Sequence, residues 1–418
     1  MKKGLTVVVM VLVCTTLLFA AGAKETGKTK LSLALWDENQ KPAIQKIVDR
    51  YNESQDTVNV VIELTPWDSY WTKLDAAAGS KSAPDVFWMN TYLPNYVQGG
   101  ILLPLDDLIA RDKIDMGAYV EATVKMNQYE GKTWGMPKGL DSVAVALNTK
   151  LFAKYGVQVP TEGWSWTDMV RISTQLRDAI ARAGGDEYPI LMELDAQPSH
   201  FNFAHQTGGY VISSDFKQSG YNLPETTLAY QRVVDLMDTG LLAPYIVLSD
   251  TNGTDLFLSG KGAILFVGSW KGTVLENSTL GKEGDITLIT MPRQEAGNQS
   301  VLGGLGYVIS AFTKNPDAAW DFVKFITGQV GNTIQAEEGI DIPAFKAAQS
   351  TYVNNFKNIN IDTFFKAAES AVPFPAGPEF TKWFGFVNDY VAQIFGGKIS
   401  AKAGTDAIYT QMQAILDK

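Results

Sequence analysis

Leu31-Ser32-Leu33-Ala34-Leu35-Trp36 is followed by Pro42 with Ile44, Ile47, Val48 and Tyr51, and then by an alternation of Val58, Val60, Ile62 and Leu64. The first run has the period of two of a half-buried strand. The second is a helix entered at proline, with apolar residues at i, i+3, i+4 and i+7. The third is again a strand. Residues 68–78 read as a helix, and Asp85-Val86-Phe87-Trp88 as a short strand before a turn at Pro94. A β-α-β-α-β succession predicts an α/β fold with a parallel sheet and right-handed crossovers. Ligands of such sheets bind beyond the carboxyl ends of the strands. Those ends carry Trp36-Asp37-Glu38-Asn39, Thr65-Pro66-Trp67 and Trp88-Met89-Asn90, each an indole beside polar groups.

Farther along, Trp134-Gly135-Met136-Pro137-Lys138 leads into Val143–Asn148, a buried-strand pattern. Trp164-Ser165-Trp166 turns into a helix carrying Met169, Ile172 and Leu176, and Leu228–Asp238 is a second helix. Gly262–Trp270 is an apolar strand ending in Ser269-Trp270, and Asn315-Pro316 caps a helix reaching Thr327. The remainder is mostly helical, broken at Pro373, Pro375 and Pro378. Two α/β lobes joined by crossing segments fit this pattern, with no internal repeat or long linker.

Composition narrows the function. The 418 residues have room for two or three domains, and 45% hydrophobic with 19% charged residues is a globular balance. A formal charge of −10 opposes a nucleic-acid partner held through phosphates. Two histidines and one cysteine leave almost no material for a zinc site, a thiol nucleophile or a disulfide framework, and no metal or cofactor is expected. Ten tryptophans and 16 tyrosines favour binding over reaction. There is no phosphate loop, and Gly304-Leu305-Gly306 starts a dinucleotide loop that fails at Ile309. His200 and His205 miss metalloprotease spacing, and no serine sits in a nucleophile elbow. A glycosidase pair of carboxylates stays open, since any two of 45 acids can converge.

Lys2 and Lys3, the apolar run Leu5–Phe19 and Ala21-Gly22-Ala23 read as a signal peptide over residues 1–23. Cys14 lies inside the apolar run, after Val13, and reads as part of it rather than as a lipid attachment point. Cleavage leaves 395 of the 418 residues, without cysteine, and the loss of two lysines takes the formal charge from −10 to −12. The expected destination is periplasmic or extracellular, where a chain without disulfides is held by its core alone.

What remains suits a sugar. Pyranose rings have apolar C–H faces that a flat indole accepts, and hydroxyl rims that Asp, Glu and Asn side chains bond. Trp36, Trp67, Trp88 and Trp270 stand at predicted strand ends beside polar residues, whereas Trp320, inside a helix, reads as core.

These residues resemble the extracellular solute-binding proteins of ABC sugar importers, the family that includes maltose-binding protein. The likeness runs through Ala83-Pro84-Asp85-Val86-Phe87-Trp88 and Gly99-Gly100-Ile101-Leu102, then Gly131–Pro137 with Leu147-Asn148. It continues through Gly260–Ala263, Gly268-Ser269-Trp270 and Asn315–Trp320. The resemblance implies two lobes closing like a hinged trap and three crossings, placed near Gly139–Ser142, Gly303–Gly306 and Phe365–Pro373. Lobe 1 would comprise 24–140 and 305–368, and lobe 2 would comprise 141–304 and 369–418. It also implies a non-enzymatic, monomeric carrier that passes a mono- or oligosaccharide to a membrane permease. By the same resemblance Trp88 and Trp270 match the stacking indoles of the two lobes, and Asp141 stands where a hinge-side glutamate contacts sugar. Trp36, Asp37 and Glu38 form the first strand-end loop, and Asn90 follows Trp88. Gly304, Trp383 and His200 complete the candidate contacts. Rival readings are a binder of a polyamine or glycerol phosphate, and a secreted glycoside hydrolase.

Overall fold

The alternation at residues 31–35 is a strand in the computed structural model of the chain, which describes residues 27–418. The leader read at residues 1–23, with Cys14, lies outside the described residues. β1 (Thr29–Leu35), β2 (Val58–Leu64) and β3 (Val86–Met89) are parallel, with β1 in the middle. Between β1 and β2 the helix Lys41–Ser54 has proline in its first turn and buries Ile44, Ile47, Val48 and Tyr51. Side chains at that spacing share one helix face, which is why they reach the sheet together.

Beyond β3 the sheet stops being parallel. β4 (Gly135–Asp141) is followed, after Ser142 alone, by β5 (Val143–Asn148), and these two strands belong to different sheets. β6 (Tyr188–Met192), β7 (Gly262–Gly268) and β8 (Ile286–Ile289) complete the second sheet in the order β8-β5-β7-β6. The chain then returns through β9 (Val301–Ile309), β10 (Ile342–Pro343) and β11 (Val372–Pro373). The first sheet has the order β10-β4-β9-β3-β1-β2, with β11 on the amino-terminal end of β9. β9 is antiparallel to both β3 and β4, so the expected parallel sheet is a mixed one.

β9 is the element that the sequence hides. Its glycines suggest a crossing at Gly303–Gly306, yet all nine residues of the strand are buried. A Cβ at Gly304 would lie 2.6 Å from Met126 Cε and 2.9 Å from Gly139 O, so the glycine answers crowding by neighbours rather than a turn. The strand begins against the second lobe, where Val301 N–H donates to Asn202 Oδ1, and its far end pairs with β3 of the first sheet. Residues 357–360, ahead of Phe365–Pro373, bond to groups around the second sheet. Backbone N–H groups of Lys357, Asn358 and Ile359 already donate to Glu276, and Asn360 bonds both backbone groups of Leu288 in β8. Trp320 is fully buried in the first lobe, with its Nε1 donating to Asp112 at 2.8 Å. Among the described residues, no helix is long and apolar enough to cross a membrane.

Candidate functional site

The carboxyl ends of β1, β2 and β3 face those of β6 and β7 across a cleft of about 590 Å³. Trp36, Asp37 and Glu38 after β1, Trp67 after β2, and Asn90 and Tyr92 after β3 line the first wall. Glu193, Asp195 and Gln197 after β6, with Trp270 and Lys271 after β7, line the second. Phe374, Phe384 and Asn388 close its side, and Asp141, Gly303 and Gly304 form the floor where β4 and β9 pair.

The first wall is an interlocked block of rings. Trp36 meets Trp67 at 5.3 Å, Tyr70 at 5.0 Å and Trp88 at 5.1 Å, all edge to face. Trp67 meets Trp71 edge-on at 5.6 Å, and Trp71 leans on Tyr92 at 4.3 Å. Edge-to-face packing suits the ring quadrupole and holds each plane in place. Trp36 and Trp67 remain half-buried, with surface left for a guest. On the second wall Trp270 lies over Gly268, where a Cβ would collide with the far edge of its ring. Only glycine lets the indole settle there.

The polar groups are held just as firmly. Asp37 accepts from the backbone of Asn39 at 2.8 Å and from Gln40 Nε2 at 3.2 Å. Gln40 Oε1 accepts from Lys138 Nζ at 2.9 Å, and that ammonium pairs with Asp341 at 2.6 Å. Lys138 and Asp341 are both buried. Glu193, also buried, accepts from Thr254 Oγ1 at 2.6 Å and lies 3.7 Å from Lys271 Nζ. Asp141 is 8% exposed, and burial and then the charge of Asp341 push its carboxyl well above the usual range. Among the described residues, no group of three or more His, Cys, Asp or Glu is placed to hold a metal ion.

The structure brings Trp36, Asp37, Glu38, Trp67, Asn90, Asp141, Trp270 and Gly304 to one cleft. Three expected contacts lie elsewhere. Trp88 is fully buried beneath Trp36, with Lys138 Nζ 4.7 Å from its ring centre, because it belongs to the core cluster that includes Leu33, Leu35 and Tyr307. His200 is 1% exposed, packed against Phe201, Tyr230 and Phe395, and burial lowers its pKa to about 3. It is a neutral core ring of the second lobe. Trp383 is also fully buried, its Nε1 donating to Pro378 O at 3.1 Å, while its neighbour Phe384 lines the cleft. One residue along a helix turns a side chain by about 100°, so a small error of register exchanges core for site.

Glu193, Asp195, Tyr92 and Phe384 were absent from the sequence reading. The first two follow the strand Tyr188–Met192, whose end obeys the same strand-end rule used for the others. Tyr92 lies two residues past Asn90. Phe384 had no local signal beyond its neighbour.

A family profile described as bacterial extracellular solute-binding protein matches residues 36–333. The maltodextrin-binding protein MdxE of Bacillus subtilis is 22% identical over 405 residues, covering 95% of this chain and 92% of its own. An ABC substrate-binding protein of Listeria monocytogenes, solved in complex with cycloalternan, superposes with a TM-score of 0.84 at 21% identity, covering 93% of this chain and 99% of that one. The GacH receptor of Streptomyces glaucescens, solved unliganded and with acarbose, gives 0.83 at 22% identity, covering 94% and 99%.

Proposed function

The chain belongs to the bacterial extracellular solute-binding proteins, and from that premise we propose that it captures a mono- or oligosaccharide between its lobes for import by an ABC permease. The observation that carries this reading is the pairing of half-buried indoles, Trp36 and Trp67 on one wall and Trp270 on the other, with the carboxylates of one cleft. Indole faces take the C–H faces of a sugar, and Asp37, Glu38 and Glu193 accept from its hydroxyls. The same lining argues against a phosphate, because its acids meet a single lysine, Lys271, and no arginine.

Closure supplies the mechanism. A guest that touches one wall in the open form and both in the closed form binds the closed form more tightly, and that difference shifts the population. The family's part in transport is binding and delivery, so the expected chemistry at the site is capture without bond cleavage. Export through the leader at residues 1–23 and action as a monomer belong to the same reading.

The experiment is a thermal-shift screen over neutral mono- and oligosaccharides, with glycerol phosphate and a polyamine as controls. A sugar at 100 times its Kd raises stability by about 2.7 kcal/mol. A shift with sugars alone supports the reading. A shift with a control alone, or new reducing ends from an incubated oligosaccharide, overturns it.

A further inference from the structure

β10 runs antiparallel to β4 with Ile342 opposite Leu140 and Pro343 opposite Gly139, a register that sets Asp341 against Asp141. Two carboxyls thus face each other at the floor of the cleft, and one ammonium answers them. Lys138 Nζ lies 2.6 Å from Asp341 Oδ2 and turns its remaining reach to Gln40. Lys138 and Asp341 are each 1% exposed, so the pair sits where an unmatched charge is costly. Asp341 Oδ1 is buried and has no hydrogen-bond partner among the described residues. The Asp141 side chain lies within hydrogen-bonding reach of the Asp341 carboxyl, and among the described residues Ser269 Oγ also donates to Asp141, at 3.4 Å.

We propose that Asp141 is kept as a neutral carboxylic acid, its proton donated to Asp341 Oδ1, so that the floor of the cleft offers the guest an uncharged acceptor. One proton then satisfies the orphaned oxygen and matches the cluster's charge, with Lys138 positive and Asp341 negative. The direction of titration agrees. Burial raises both acids, the charge of Asp341 raises Asp141 further, and Lys138 draws Asp341 back down. The other ionisable groups facing the pair are Tyr307 from β9 and Tyr352 from the helix Gln349–Asn355, both pushed up by burial and neutral.

The consequence is a choice of guest, and it rests on the carbohydrate reading above. A neutral acid accepts from a hydroxyl but gives little to an ammonium, so Asp341 acts as a positioning residue that turns the floor against amines. Asp341→Asn keeps the shape and removes the proton's partner, leaving Asp141 to ionise beside Lys138.

Two measurements decide it. In protein labelled with carbon-13 at aspartate carboxyls, the resonance missing from Asp141→Asn keeps its protonated position through neutral pH. In Asp341→Asn it moves to the ionised position. An ionised Asp141 at neutral pH in the unaltered chain overturns the proposal, and this arm needs no ligand and no folded variant at position 341. The second arm compares a sugar from the thermal-shift screen with its amino-deoxy counterpart. The affinity ratio moves at least tenfold toward the amine in Asp341→Asn. An unchanged ratio, or both affinities falling together, shows a structural role only and overturns the claim about amines. If no sugar binds, the carbohydrate reading fails while the carboxyl resonance still answers the question of the proton.

Discussion

The two walls of the cleft are built on opposite plans. The first is a block of rings in which Trp36 touches Trp67, Tyr70, Trp71 and Trp88, so its binding surface is the outer face of its own core. On the second, Trp270 rests on a glycine and its polar neighbours are braced by ion pairs and hydroxyls. A surface continuous with a core is ready before the guest arrives, whereas Trp270 depends on the bare backbone that Gly268 leaves beneath its ring. Mutations in the first wall should therefore damage fold and binding together, and mutations in the second should separate them.

The largest effect is expected from Trp36→Ala. Removing a half-buried ring from the centre of the block costs about 2–4 kcal/mol of stability, and it frees Trp67 to turn. Calorimetry with a sugar from the screen should show affinity falling ~100-fold, together with a lower Tm. Loss of affinity at an unchanged Tm would break the contrast, since it would make the first wall as separable as the second.

Trp270→Ala comes next. Affinity should fall at least tenfold while Tm stays within ~2 °C of the unaltered chain, because the ring stands at a strand end, outside the interlocked block of the first wall. Gly268→Ala leaves the indole present but pushes it off its seat, and a smaller loss, roughly three- to tenfold, is expected. Unchanged affinity in Trp270→Ala removes that residue from the site. Unchanged affinity in Gly268→Ala alone would mean that the ring finds a second position without cost.

These contrasts also mark what the sequence disclosed. Strands β1 to β3, the helix Lys41–Ser54 and the helix Pro316–Thr327 were legible because each buries one face, and burial of one face writes a period into the residues. The strand-end rule then found Trp36, Trp67 and Trp270. It could not tell Trp88 from them, since the face of a strand end on which a side chain emerges depends on the partner sheet. β9 was illegible for the opposite reason. Its glycines are demanded by neighbours distant in sequence, Met126 and Gly139 among them, and local pattern carries no record of those. Asp341 went unnoticed because its meaning lies in a pairing register across 200 residues of chain.

The smallest effect separates the lobes by pH instead of by ligand. Both histidines of the chain lie in the helix His200–Gln206 of the second lobe, and burial lowers them to about 3 and about 4. Unfolded chains bind protons on these rings from about pH 6.5 downward, while the fold refuses them until those lower values. Stability conferred by the neutral rings is thus full above pH 6.5 and drains away as pH falls, by ~1.4 kcal/mol per ring for each unit. Carboxylates held low in the fold, such as Asp168 and Glu187 at about 2, add their own loss only below about pH 4.5. Between pH 6.5 and 4.5 the histidines therefore act without them. His200→Phe keeps an aromatic ring among Phe201, Tyr230 and Phe395 and removes the proton acceptor. Its Tm relative to the unaltered chain should rise steadily across that interval, with hydrogen exchange slowing in the second lobe and not in the first. A difference in Tm that does not change with pH would show that His200 is already solvated, and that the second lobe is no more acid-sensitive than its partner.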